Sequence, residues 1–201
     1  MQDGGLHVRG LAVARNGQPI LTDLGFTLAP GRALAVTGPN GIGKSSLLRA
    51  LAGLLPPAAG EVALRLGRDD DRALGERLHY LGHGNGAKAV LTAGTNLRFL
   101  RRWGGGGGLS PAEALEAVGL GACIDIPLGF LSAGQRRRVA GLLVADRPLW
   151  LLDEPATALD RDAEAMLTDL LTRHLSSGGL AVLALHAPLA LPMAQLRLSP
   201  A

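Results

Sequence analysis

Apolar residues do not recur along this chain with a single period. Between residues 6 and 37 they alternate with polar ones in short runs, Leu6–Val13, Ile20–Leu24, Gly25–Leu28 and Arg32–Thr37, broken at Gly17-Gln18-Pro19 and Pro30-Gly31. Alternation between such turn residues predicts an antiparallel β layer. The spacing becomes helical across Leu47–Leu51, is stopped by Leu54–Gly60, and returns to a strand at Glu61–Leu66. Arg77–His83 predicts another strand, ending in a polar residue. Helical spacing then prevails, with helices expected over Thr95–Trp103 and Ser110–Val118, Ser110 as N-cap and Pro111 at the first helical position. The glycine run Gly104–Gly108 between them reads as a flexible surface connection. Two further apolar runs, Pro148–Asp153 and Leu180–Leu185, flank a helix over Asp162–Leu175 and read as buried strands.

This order predicts an α/β fold: a mostly parallel sheet, an N-terminal antiparallel β layer and an inserted helical subdomain. A single domain over residues 1–201 is expected, its α/β core drawn from 1–87 and 145–201 and its helical part from 88–144.

Composition narrows what can fill such a core. Hydrophobic residues make up 47% and aromatics 3% of the 201 residues, so the interior must be Leu, Val and Ala. The single cysteine, Cys123, excludes a disulfide framework and a thiolate metal site, and reads as a small buried hydrophobe. Met1–Gly5 lacks the basic-then-apolar order of a signal peptide, and no run of about 18 residues stays apolar enough to span a bilayer. The chain is thus expected to be soluble, with any membrane role borrowed from a partner. A net charge of +3 permits only weak attraction to lipid or nucleic acid. Asp69–Asp71 reads as a solvated turn, and Arg136–Arg138 is the one dense basic cluster.

The candidate chemistry begins at Gly38-Pro39-Asn40-Gly41-Ile42-Gly43-Lys44-Ser45-Ser46, between the Ala33–Thr37 run and the Leu47–Leu51 helix. A strand, a glycine turn and a helix make a phosphate cradle: the glycines let successive N–H groups turn inward at the positive end of the helix. Lys44 reaches the β- and γ-phosphates of a bound nucleotide, and the Ser45 hydroxyl is placed for Mg²⁺. Lysine matters here because nearly all the basic residues are arginine, Lys88 being the only other lysine, and a compact ammonium fits a backbone nest where a guanidinium fork does not. The fold is then a P-loop NTPase core. Two other strands also end in polar groups, Asp153-Glu154 and His186, and in a parallel sheet those ends converge with the P-loop on one crevice. Read alone, an Asp-Glu pair behind a strand also serves as a helix N-cap, and a lone histidine as a satisfied structural group.

With Leu131-Ser132-Ala133-Gly134-Gln135 placed ahead of the acidic strand, the chain resembles the ABC (ATP-binding cassette) ATPases over essentially its whole length. Five elements stand in that family's order: the P-loop at 38–46, the LSAGQ signature at 131–135, Leu151–Pro155, a D-loop at Ala158-Leu159-Asp160, and His186 as switch histidine. The resemblance implies that Asp153 holds Mg²⁺ through its water shell, that Glu154 is the general base, and that His186 bonds the γ-phosphate and the attacking water. It further implies that Ser132, Ala133, Gly134 and Gln135 serve the ATP of a second copy, two nucleotides being sandwiched head to tail in a homodimer, which places Arg136–Arg138 beside phosphate rather than nucleic acid. Two positions depart from the family pattern. His83 stands where a metal-contacting glutamine is usual, and Arg15-Asn16 where an aromatic stacks on adenine, leaving Arg15 as the substitute.

Within the family, Tyr80–Lys88, Leu91-Thr92 and Thr95–Phe99, together with the short length, look like the haem-exporter-type ATPases of cytochrome c biogenesis. That likeness implies ATP and Mg²⁺ as cofactors, integral membrane transporter subunits as partners, and a peripheral place on the cytoplasmic face of the inner membrane, without nucleic acid and without insertion into the bilayer. A soluble ABC mechanoenzyme acting on nucleic acid or ribosomes would carry heptad coiled coils or tandem cassettes, and a GTPase an Asn-Lys-x-Asp motif. Neither pattern occurs here.

Overall fold

The computed structural model describes residues 4–66, 73–82, 87–103, 108–132, 147–157 and 159–199. Two sheets form its frame. β1 (Gly5–Arg15), β2 (Gln18–Leu28) and β4 (Ala59–Arg65) make an antiparallel sheet in the order β2-β1-β4. β3 (Ala33–Thr37), β5 (Leu78–Leu81), β6 (Leu149–Asp153), β7 (Leu180–Ala184) and β8 (Ala194–Arg197) make a wholly parallel sheet in the order β5-β6-β7-β3-β8. The α-helices α1 (Lys44–Leu51), α2 (Ala93–Trp103), α3 (Pro111–Ala117) and α4 (Arg161–Ser176) and three short 3-10 helices, Leu74–Glu76, Gly121–Cys123 and Leu128–Phe130, complete the described elements. Among the described residues no helix is long and apolar enough to cross a membrane.

The uninterrupted apolar runs of β6 and β7 follow from burial on both faces, every residue of each being buried. Alternate side chains enter two different cores. Leu149, Leu151, Leu180 and Val182 join Leu34 and Val36 against α1 and the antiparallel sheet. Trp150, Leu152, Ala181 and Leu183 join Ala33 and Ala35 against Leu167 and Leu171 of α4. Thus α1 is held between the two sheets and α4 covers the far face of the parallel one. A third cluster ties α2 to α3 through Ala93, Leu97, Ala114 and Leu115, with Val118, Leu120, Leu128 and Leu131 beneath. Ser110 and Glu113 close a full capping box at the start of α3.

Two expectations change in detail. Ile20–Leu24 and Gly25–Leu28 form one strand, not two, because β1 and β2 each carry an irregularity: the register passes from Val8↔Phe26 to Leu11↔Leu24 and then to Val13↔Leu21. The first step adds a residue on β1 near Gly10 (φ 54°), the second adds one on β2 near Asp23 (φ 50°) and cancels the first, and a third, from Val13↔Leu21 to Ala14↔Pro19, adds another on β2 beside the turn. The strand after the P-loop helix joins the antiparallel sheet, where Leu64 pairs with Leu6. Buried Arg77 donates to the Leu64 carbonyl and so ties β4 to the start of β5.

Candidate functional site

The chain passes from β3 to α1 through the glycine loop, and Gly38, Gly41 and Gly43 all take positive φ. Gly43 is the N-cap of α1 in the left-handed region, with no side chain bonded to the first turn, which leaves the leading N–H groups open to an anion. A Cβ on Gly43 would lie 2.7 Å from Ile20 Cγ2, whereas one on Gly41 would meet nothing within 4 Å. Gly43 is therefore packed from behind, and Gly41 lies at the open rim. Lys44 is only 6% exposed. Its Nζ donates to the Gly38 carbonyl at 2.8 Å and to the Pro39 carbonyl at 3.1 Å, holding the ammonium inside the loop, where a phosphate would offer it a charged acceptor.

The ends of β6 and β7 supply the rest. Asp153 is 1% exposed, and its Oδ1 accepts the Ser45 hydroxyl at 3.1 Å. Its Oδ2 is buried without a hydrogen-bond partner among the described residues, an orphaned acceptor that a hydrated cation would satisfy. Hydroxyl and carboxylate oxygens are the donors that Mg²⁺ takes alongside water and phosphate, so these residues fit that ion. Glu154 follows at φ 53°, a left-handed backbone that costs a non-glycine residue roughly 1–2 kcal/mol. Its N–H donates to the Ala184 carbonyl at 3.0 Å, fixing the turn against β7. Its Oε1 lies 2.5 Å from His186 Nε2, and its Oε2 accepts the Thr157 hydroxyl at 3.4 Å. The carboxylate is thus aimed by two neighbours.

These groups face one cleft of about 440 Å³, lined among the described residues by Arg15, Asn40, Gly41, Gly43, Lys44, Ser45, Ser46, Glu154 and His186. Gly38, Pro39 and Ile42 build the loop behind it, with Ile42 N–H donating to the Pro39 carbonyl at 3.4 Å. Asp153 lies beneath Ser45. Ser132 is exposed and does not line the cleft. His83, Ala133, Gly134, Gln135, Arg136–Arg138 and Ala158 fall outside the described residues. Asp160 caps α4, its Oδ1 accepting from Ala163 N–H at 2.9 Å. Thr157 was not singled out by the sequence. Its position three residues after Glu154, in a turn opened by Pro155, is the signal that could have found it.

The family model described as ABC transporter matches residues 21–157. The chain is 48% identical over 195 residues to the cytochrome c biogenesis ATP-binding export protein CcmA of Mesorhizobium japonicum, covering 96% of this chain and 97% of that one. It is 50% identical to the protein of the same name from Rhizobium meliloti, covering 92% of each. Among solved structures, a putative ABC transporter ATP-binding protein from Pyrococcus furiosus superposes with a TM-score of 0.82 at 23% identity, over 97% of this chain and 98% of that one, a likeness of fold alone.

Proposed function

The chain belongs to the ABC transporter family of ATP-binding proteins, in its cytochrome c biogenesis branch, and from that premise we propose that it hydrolyses Mg-ATP as a head-to-tail homodimer seated on integral membrane subunits. The observation that carries the reading is the convergence of the P-loop, the Ser45–Asp153 pair and the Glu154–His186 pair on one cleft. Ser45 and Asp153 would hold Mg²⁺, which would supply positive charge against the phosphate oxygens. The loop N–H groups and Lys44 bind and orient the triphosphate. Glu154, steadied by Thr157, accepts a proton from water, and His186 orients the same carboxylate through its Nε2.

The helical part over 88–144 then carries the signature for the second copy and meets the membrane partner. Val90 and Phe130 support such contact, being 84% and 83% exposed on segments joined where Gly129 N–H donates to the Ala89 carbonyl at 2.8 Å. In this reading the subunit sits peripherally on the cytoplasmic face of the membrane. Replacing Glu154 by Gln tests the catalytic assignment. Mg-ATP should still bind while steady-state hydrolysis falls at least ~100-fold, the scale for losing a general base, and near-normal turnover would remove Glu154 from that role.

A further inference from the structure

Among the described residues, two buried oxygens that lack a hydrogen-bond partner stand on one side of the parallel sheet. One is Asp153 Oδ2. The other is the hydroxyl of Tyr80, a residue that the hydrolytic reading leaves unused. Register brings them together. Tyr80 of β5 pairs with Leu151 of β6, and side chains alternate along a strand, so Tyr80 shares a face with Leu151 and Asp153. That face is the one α1 covers: Ser45 reaches Asp153 from it, and Tyr80 and Leu151 pack in the same cluster as Leu47, Leu48 and Leu51. The phenol ring folds forward along its strand, since a Cβ on Gly82 would lie 2.9 Å from both Tyr80 Oη and Cε1. Gly82 follows Leu81, whose pairing partner is Leu152, so the hydroxyl is carried to the level of Asp153.

Arg49 completes the group. It stands one turn beyond Ser45 on α1, and its guanidinium comes near enough to Tyr80 for that contact to be the first cause of its raised pKa, the Asp153 carboxylate adding to the rise. The approach still leaves Tyr80 Oη without a completed hydrogen bond. A hydroxyl donor, a carboxylate oxygen and a guanidinium are thus gathered in one place with no direct bond closing them, and a buried water is held by two to four such partners. We propose that Tyr80 is a positioning residue of the nucleotide site: through a bridging water its hydroxyl donates to Asp153 Oδ2 and so fixes the carboxylate in the orientation that receives the divalent cation of the nucleotide. The inference rests on the nucleotide-site reading above. With Oδ1 tied to Ser45 and Oδ2 to this water, the carboxylate cannot turn, yet both oxygens keep lone pairs for the cation's hydration shell. Packing alone does not account for the hydroxyl, because a phenylalanine ring would fill the same space without the cost of an idle buried donor.

The test is Tyr80→Phe, which removes one oxygen and keeps the ring, in the full chain with the β,γ-imido analogue of ATP as probe. Binding calorimetry gives the affinity in chelator and in saturating Mg²⁺, and thermal melting of the nucleotide-free chain is followed beside it. Without Mg²⁺ the variant should bind the analogue as the wild type does, which also reports that it is folded. The gain in affinity that Mg²⁺ brings should fall about tenfold, the lower end of what partners behind a metal's own ligands contribute. An undiminished gain overturns the proposal, and a higher melting temperature beside it would identify the hydroxyl as an idle buried donor whose removal relieves the fold. An equal loss with and without Mg²⁺ overturns it in favour of a structural role between α1 and β5. If the wild-type chain itself gains no affinity from Mg²⁺, the reading of Ser45 and Asp153 as a cation site fails and the inference falls with it, an outcome seen in the wild type and so distinct from the others, which are read in the variant.

Discussion

At the scale of single residues, the division of labour at Asp153 is open to direct measurement. One of its oxygens is committed to Ser45 and the other is buried without a partner, so the amide of Asp153→Asn retains the first contact and removes the charge from the second. The variant should bind ATP without Mg²⁺ as the wild type does, and should lose the added affinity that Mg²⁺ brings, at least ~10-fold, the usual effect of deleting a supporting carboxylate. Titration of nucleotide binding with and without Mg²⁺ reads this directly, and an undiminished response to Mg²⁺ would make Asp153 a structural group. Residues of this kind were legible in the sequence because the chemistry restricts the residue type: a nest needs glycines, and its ammonium needs Lys44. Thr157 was not legible, since many side chains satisfy the i+3 position of a turn and only its contact with Glu154 separates it from them.

At the scale of elements, the parallel sheet and α4 hold two partly buried histidines whose burial makes folding depend on pH. His174 of α4 lies flat against Trp150 of β6, ring centroids 3.7 Å apart at 11°, and its Nε2 donates to the Leu180 carbonyl at 3.1 Å. Burial pushes its pKa down. His79 of β5 is pushed down to about 4, first by burial and then by the nearby Arg147 charge. A base whose folded pKa is depressed binds fewer protons folded than unfolded, so stability is full above the unfolded value near 6.5 and declines as pH falls toward 4. For His79 the loss is on the order of 3 kcal/mol across that window. Urea unfolding at stepped pH should show the decline, and His79→Gln should flatten it relative to wild type. An unchanged pH slope in the variant would place the effect elsewhere. Elements with a strong pattern, such as β6, β7 and α4, were plain in the sequence. β8 was not, because its four residues are mostly exposed and only the hydrogen bonds of Leu34–Thr37 with Ala194–Arg197 define it as a strand. Nor do the apolar runs disclose that the irregularities near Gly10 and Asp23 cancel, since the pairing, not the pattern, sets them.

For the whole molecule, what the sequence conveys is convergence: three strands ending in polar chemistry, which in a parallel sheet must meet. The order β6-β7-β3 places those strands side by side and fulfils that expectation, while the flanking places of β5 and β8 follow from packing that no local pattern encodes. The same logic extends to assembly. The described cleft is built by one chain's P-loop and strand ends, and Ser132 is exposed and is not among its described lining residues. If each ATP is held between one protomer's P-loop and its partner's signature, Lys44→Ala and Ser132→Arg should each spoil both sites of a homodimer. In a mixed dimer, one site pairs mutant P-loop with mutant signature, and the other is intact on both sides. Mixing two inactive proteins should then restore one competent site. The readout is ATP-dependent dimerisation by sedimentation, with Glu154→Gln in both proteins so that nucleotide persists, because paired sites that must fire together would hide a single repaired one from a turnover assay. Dimer should appear in the mixture and in neither protein alone. Its absence, with both variants folded by circular dichroism, would mean that Ser132 acts on its own chain's nucleotide or on none.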